Sequence, residues 1–412
     1  MTEYPETYRF PWWRNRSYLL LSAIMFMSLM SGGLVKPLFS IRAQGLGATL
    51  VEIGLIGTVS QIVGMAVQYL WGQQSDRLMR RKPLILIGMI GNAFTTFLVG
   101  VVSGHRPLYW IQALNVLAYA AYTVGSLAMI GDILEGWPSR GRLMGLYRGA
   151  GSFAFGLASL FGGRLADLYG MATPFFFASA FGFVAFLFAC GLQESPVQKP
   201  KMTTEKPSFV ETQISWDKLR RILPFLIIVF IWSVSMGSAF AFWPVYMVER
   251  GFTKTVVTQL WGIAALGETV AMVFAGYLCD RLGSRRVVVE GLAGMGLIFM
   301  AYTFWPRFPW LIPIQVIRAL VFSCYSAASM IYATEMGLRQ QRGRMAGLHA
   351  TAASVGTISG SALGGLLAQL LGVGIMIRGI GALMVLGGLL AGWRMAEPAE
   401  TAVVSKKPAR RT

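Results

Sequence analysis

The sequence predicts an all-α integral membrane protein with twelve transmembrane helices in two pseudo-symmetric six-helix bundles. Three observations carry this expectation. Of 412 residues, 55% are hydrophobic and only 13% are charged, with a mean hydropathy of +0.57. A soluble chain carries roughly 25% charged residues, so this composition fits a protein whose main solvent is lipid. The apolar residues gather into about twelve runs of membrane-spanning length, and the second half of the chain repeats the first.

A helix needs ~20 apolar residues to cross ~30 Å of hydrocarbon. In the first half the runs lie near 18–41, 50–72, 83–103, 108–134, 143–169 and 172–192. In the second they lie near 222–247, 256–279, 286–304, 309–335, 343–371 and 374–394. They lack the alternation of a membrane barrel, so helices are expected throughout. The domains are then a bundle over 1–192, a Pro-, Lys-, Glu- and Thr-rich cytoplasmic linker over 193–221, a bundle over 222–396 and a mobile tail over 397–412. No small-residue cleavage pattern closes the first run, so it reads as a retained span.

Basic residues set the orientation. With the N-terminus in the cytoplasm, the inside segments hold 26 Lys and Arg against about five outside (Arg42, Arg106, Arg250, Lys254 and Arg307). That asymmetry places both termini in the cytoplasm of a multi-pass protein of the cell membrane. The net charge of +18 is thus a bilayer signature, spread over short loops rather than clustered as for nucleic acid. Cys190, Cys279 and Cys324 are too few and too scattered for a disulfide framework or zinc site.

The repeat is legible directly. SRGRLMGLYRGAGSFAFGLASLFGGRLADLYG (139–170) matches QRGRMAGLHATAASVGTISGSALGGLLAQLLG (341–372) at an offset of 202. GQQSDRLMRRKP (72–83) matches GYLCDRLGSRRV (276–287) at an offset of 204, and Pro37 pairs with Pro244 in a weaker third match. Duplicated halves that rock about a central site are the physical basis of alternating access.

The two loops GQQSDRLMRRK and GYLCDRLGSRR resemble the two copies of the loop motif of the major facilitator superfamily, which joins spans 2–3 and 8–9. Twelve spans, the central linker and the RGR sequences opening spans 5 and 11 extend the resemblance over nearly the whole chain. The resemblance implies a gating latch on the cytoplasmic side, formed by Gly72, Asp76, Arg77, Arg81, Asp132 and Arg142. Gly276, Asp280, Arg281, Arg285, Glu335 and Arg344 are their counterparts in the second half. Read from the residues alone, Gly72 and Gly276 allow close helix approach. The carboxylates at helix ends beside basic loops are either latches or static anchors. The resemblance further implies operation as a monomer.

Charges within spans each need an explanation, because one near the bilayer centre costs at least ~2.5 kcal/mol. Glu268 lies about midway along span 8, and Arg318 about nine residues into span 10. Glu268 reads as a proton-coupling or substrate-binding group, or as half of a structural pair. Arg318, which cannot deprotonate, is its obvious partner. Lys36 and Arg148 divide between interfacial snorkelling and cavity contact, while Arg164 and Arg378 read as snorkelling at outer helix ends. His349 reads as a packing residue. Gln61, Gln112, Asn115, Tyr119, Trp232 and Gln315 complete the candidate pocket. Trp243 and Trp261, near span ends, read as interfacial belt residues or as part of the pocket wall, and Asn115 and Gln315 read equally as interhelical hydrogen-bonding groups.

The functional expectation is a secondary transporter that moves a small organic solute and is coupled to protons through Glu268. Efflux of lipophilic compounds is the alternative, although GLASLFGG (156–163) lacks the proline that drug exporters usually carry there. A non-transporting receptor on the same fold is a further alternative. No metal cluster, cofactor site, nucleotide-binding loop or nucleophile–base set stands out, so an enzyme is not expected.

Overall fold

A computed structural model of the chain describes residues 15–78, 80–135, 137, 139–193, 216–336 and 342–395. All regular structure among them is helical. The first span is broken: α1 (Arg16–Val35) leads through a 3-10 turn at Lys36–Leu38 into α2 (Phe39–Gly45). Pro37 explains the break, since it offers no N–H to the helix ladder. Then follow α3 (Leu50–Leu78), α4 (Lys82–Val101), α5 (Pro107–Ile133), α6 (Arg140–Tyr169) and α7 (Thr173–Cys190). The second half contributes α8 (Trp216–Glu249), α9 (Lys254–Leu282), α10 (Ser284–Phe304), α11 (Phe308–Glu335), α12 (Arg342–Leu371) and α13 (Val373–Arg394).

Local chemistry sets many of these ends. Asn15 caps α1, its side chain accepting from the Tyr18 amide at 3.0 Å. Thr49 and Glu52 form a reciprocal capping box at the start of α3, with bonds of 2.8 and 3.2 Å. Proline opens α4, α5, α7 and α11, where a missing amide costs nothing. Arg42 donates to the carbonyls of Val99, Gly100 and Val102, closing the end of α4. Lys82 does the same for α7 through Cys190 and Leu192, both at 2.8 Å.

Eleven of these helices, counting α1 through α2 as one, are long and apolar enough to cross a membrane. The expected span in α6 falls outside that set. Its 30 residues are long enough, but Arg140, Arg142, Arg148, Arg164 and Asp167 and its many glycines lower its hydropathy. The expected linker also needs correction. Residues 216–221 already belong to α8, because the first turns of that helix are polar and carry no hydropathy signal. Residues 194–215 and the tail lie outside the described residues.

The helices pair in the same way in each half. In the first, α1 packs on α6 and α7, and α4 packs on α5 and α7. In the second, α8 packs on α12 and α13, and α10 packs on α11 and α13. Glycine makes the tightest of these contacts possible. A Cβ on Gly33 would lie 2.3 Å from the Phe155 carbonyl oxygen, and one on Gly237 2.8 Å from that of Thr357. The two glycines differ by 204 positions and their partners by 202, so the close approach itself is repeated. It is the small-residue packing expected where lipid gives no hydrophobic drive between helices.

The chain divides into two compact units, Met1–Ala48 with Ile62–Ser208 and Thr253–Gly262, and Thr49–Gln61 with Phe209–Phe252 and Ile263–Thr412. The start of α3 therefore groups with the second unit and the start of α9 with the first. Within the first unit, Asp167 on α6 accepts from the Thr255 amide and hydroxyl at 2.8 and 2.7 Å. Within the second, Gln369 on α12 accepts from the Leu50 amide at 3.0 Å. Asp167 and Gln369 are 202 positions apart, the offset of the repeat.

Candidate functional site

The second unit brings three of the expected residues into one cluster. Gly267 lets α9 lie close to α11, since a Cβ there would come within 2.9 Å of the Ala319 side chain. That proximity sets Glu268 beside Arg318, with Nη2 donating to Oε1 at 3.0 Å. Arg318 also donates from Nε to Gln315 Oε1 at 2.9 Å, one turn away on α11. The Tyr302 hydroxyl from α10 donates to the same Gln315 oxygen at 2.9 Å. Phe240 on α8 presents its ring to the guanidinium at 5.8 Å. Four helices thus converge on one cation.

The two charges are not equally enclosed. The Arg318 side chain is 8% exposed, and that of Glu268 is 25% exposed. The carboxylate is therefore the more exposed member of the pair. An aromatic wall stands nearby on α8 and α11. Trp232 stacks on Tyr325 with centroids 3.5 Å apart and rings 9° from parallel, and Phe322 lies between Trp232 and Phe240 at 5.9 and 6.2 Å.

Tyr302 and Phe240 were not among the sequence candidates. Each is one aromatic residue in an aromatic-rich run, and only the helix rotations reveal that they face Arg318. Trp243, expected at the interface or in the pocket wall, is buried at 5% exposure and packs on Tyr302 at 5.4 Å. The α8–α10 contact holds it inside the bundle.

Lys36, Gln112, Asn115, Tyr119 and Arg148 belong to the first unit. Lys36 is exposed and lies 5.8 Å from the Phe155 ring. Arg148 is exposed, as is Gln61 of the second unit, while Gln112 is half-buried. Asn115 donates to Asn92 Oδ1 at 3.1 Å and Thr95 Oγ1 at 2.7 Å, clasping α4 to α5. Tyr119 packs 5.5 Å from Tyr122. The tight contacts Gly88–Tyr122 and Gly291–Tyr325 align α5 with α11 at an offset of 203. On that offset Gln112 corresponds to Gln315, and Asn115 to Arg318.

The loop motifs form a second, separate cluster in each unit. In the first, Arg81 donates from Nη1 to the Ser75 carbonyl at 2.5 Å and to its hydroxyl, with Nε 3.5 Å from Asp132. In the second, Ser284 donates to Glu335 across a short bond, and Arg285 donates to the Gly392 carbonyl at 2.6 Å. Arg281 stacks on Tyr277 at 4.8 Å, and with Asp280 lines a cavity of about 760 Å³. Arg77 on α3, Arg142 on α6 and Arg344 on α12 are all exposed. The side chain of Asp76 lies outside the described residues. Among the described residues, no atom lies within 4 Å of a Cβ built at Gly72 or Gly276.

Two units with matching helix pairings, membrane-length apolar helices and a charged pair inside the second fit a multi-pass membrane transporter. The sequence profile of the Major Facilitator Superfamily matches residues 21–269 and 252–412, and the chain belongs to that family. It is 25% identical to an uncharacterized MFS-type transporter of Methanocaldococcus jannaschii, over 86% of this chain and 91% of the relative. It is 24% identical to multidrug resistance protein 2 of Bacillus subtilis, over 89% and 94% of the two chains. The crystal structure of the nucleoside transporter NupG superposes with a TM-score of 0.76 at 16% identity, covering 93% of this chain and all of that one (100%). That likeness is one of fold.

Proposed function

We propose that this MFS transporter is a proton-coupled secondary transporter of a small organic solute, working by alternating access with Glu268 and Arg318 as its coupling pair. The observation that supports this reading is the enclosure of Arg318 against a partly accessible Glu268. Arg318 keeps its charge under all working conditions. A proton arriving on Glu268 removes the partner's charge and leaves a buried cation held by Gln315 and Phe240. That state favours either an anionic or polar substrate group at the guanidinium or a rearrangement that restores the pair. Loss of the proton reverses the preference. One exchange of partners thus links proton and solute.

In this reading the Arg81–Asp132 and Ser284–Glu335 contacts act as cytoplasmic latches, and the protein works as a monomer in the cell membrane with both termini inside. A second reading, export of lipophilic compounds, is favoured by the aromatic wall of Trp232, Phe240, Phe322 and Tyr325 and by the names of several relatives. Efflux and uptake share the same coupling pair.

The test is substrate-driven proton flux in proteoliposomes, screened with organic anions, sugars and lipophilic cations. Wild-type protein is expected to couple flux to one class, and Glu268→Gln is expected to abolish proton movement while counterflow of labelled solute persists. Proton flux that survives Glu268→Gln refutes the coupling role.

A further inference from the structure

The end of the second unit opposite the loop motif holds a cavity that the coupling pair does not use. Its volume is about 390 Å³, and it lies between the last turn of α8 and the first turn of α13. Arg250 reaches into it from just beyond α8, its guanidinium 5.1 Å from the centre of the Tyr246 ring. Arg378 approaches from one turn inside α13, stacked 5.1 Å from the Phe304 ring. Among the described residues neither arginine has a carboxylate partner. The first residues of α13, Val373, Gly374 and Ile375, line the same space, and Gly374 keeps it clear: a Cβ there would lie 3.1 Å from the Tyr246 ring and 3.6 Å from the Arg250 guanidinium.

Two side-chain donors of the residues lining this cavity are left without an acceptor. Tyr246 lines the cavity at 1% exposure, and its hydroxyl is buried with no hydrogen-bond partner. Arg378 Nε is likewise buried without an acceptor. Orphaned buried donors are rare, and each costs roughly 1–3 kcal/mol unless something accepts from it. Two fixed cations, a helix N-terminus and a buried hydroxyl all favour an oxyanion. Glu249 on the rim offsets one of the two positive charges, so the site matches a single negative charge. Leu371 and Ile375 in its lining, and Phe304 against Arg378, are all more than half exposed, as residues facing lipid are.

We propose that this cavity binds a singly charged phosphate group, either the phosphodiester of a phospholipid headgroup or a free phosphate anion. Arg250 and Arg378 supply the charge, and Tyr246 and the start of α13 supply directed hydrogen bonds. The arginine that looked like a snorkelling side chain is then a ligand-binding one.

The experiment is thermal unfolding of the delipidated protein in detergent. It is titrated separately with dihexanoylphosphatidylglycerol and with inorganic phosphate, against chloride at matched ionic strength. A saturable rise in melting temperature is expected in the wild type, and the double variant Arg250→Gln/Arg378→Gln is expected to lose it. Tyr246→Phe removes only an unpartnered buried hydroxyl, so its unliganded melting temperature is expected to hold or rise while its apparent affinity falls about tenfold. If the double variant fails to fold, that second variant carries the test. A rise with phosphatidylglycerol alone assigns a lipid headgroup, and a rise with both assigns a general phosphate site. No saturable rise with either probe overturns the proposal, as does a rise that Tyr246→Phe and the folded double variant reproduce unchanged.

Discussion

Replacing Glu268 by Gln leaves Arg318 charged inside the bundle with neutral groups around it. Replacing Arg318 by Gln instead leaves a carboxylate that can take up a proton. The structure therefore makes the two losses unequal. At the observed 3.0 Å the gross attraction of the pair is about 5 kcal/mol at an effective dielectric of ~20. Much of that is offset by removing both ions from water. What survives a single substitution is the burden of the remaining ion. Arg318, at 8% exposure, cannot shed its charge, so Glu268→Gln is expected to cost about 3 kcal/mol. Glu268 is 25% exposed and can be neutralised, so Arg318→Gln is expected to cost about 1–2 kcal/mol. The double variant buries no net charge and is expected to be less destabilised than the sum of the two. Cys279 and Cys324 are buried free thiols, so a thiol-reactive fluorophore reports unfolding in detergent once the exposed Cys190 is changed to Ser. The reasoning fails if Glu268→Gln is no worse than Arg318→Gln, or if the two costs simply add.

Two further predictions concern the surrounding framework. Gly33→Ala places a methyl 2.3 Å from the Phe155 carbonyl oxygen and is expected to destabilise by about 1–3 kcal/mol, more than Gly237→Ala at 2.8 Å, as thermal unfolding of the pair of variants would reveal. Gln315→Leu strips the acceptor from both Tyr302 and Arg318 and is expected to cost about 2 kcal/mol, whereas Gln315→Glu, which keeps an oxygen for each, is expected to cost less in the same assay.

The spans and their duplication were readable because lipid imposes a crude, long-range requirement that composition alone satisfies. Glu268 and Arg318 were readable for the opposite reason: a charge in such a run is an exception that must have a partner. What composition does not carry is the rotation of each helix about its axis. That is why Tyr302 and Phe240 are not legible in the sequence, and why a belt position is a natural reading of Trp243. The early start of α8 escaped because polar first turns leave no trace in hydropathy. The weak apolar character of α6 has the same root, since glycine contacts and several charges replace the bulky apolar residues that mark a span.

The correspondence of Asn115 with Arg318, and of Gln112 with Gln315, bears on how such a protein acquires a task. Two fused copies of one ancestral chain begin with every feature in duplicate. Here the helix pairings and the tight glycine contacts are still held in common. The neutral Asn115 clasp to Asn92 and Thr95 stands where its twin carries a cation. At these positions the two copies have diverged on a pattern of helix pairing that both still keep. Laboratory evolution of a new solute preference would then find its freedom at these paired positions, with the unchanged twin conserving the architecture while its counterpart varies.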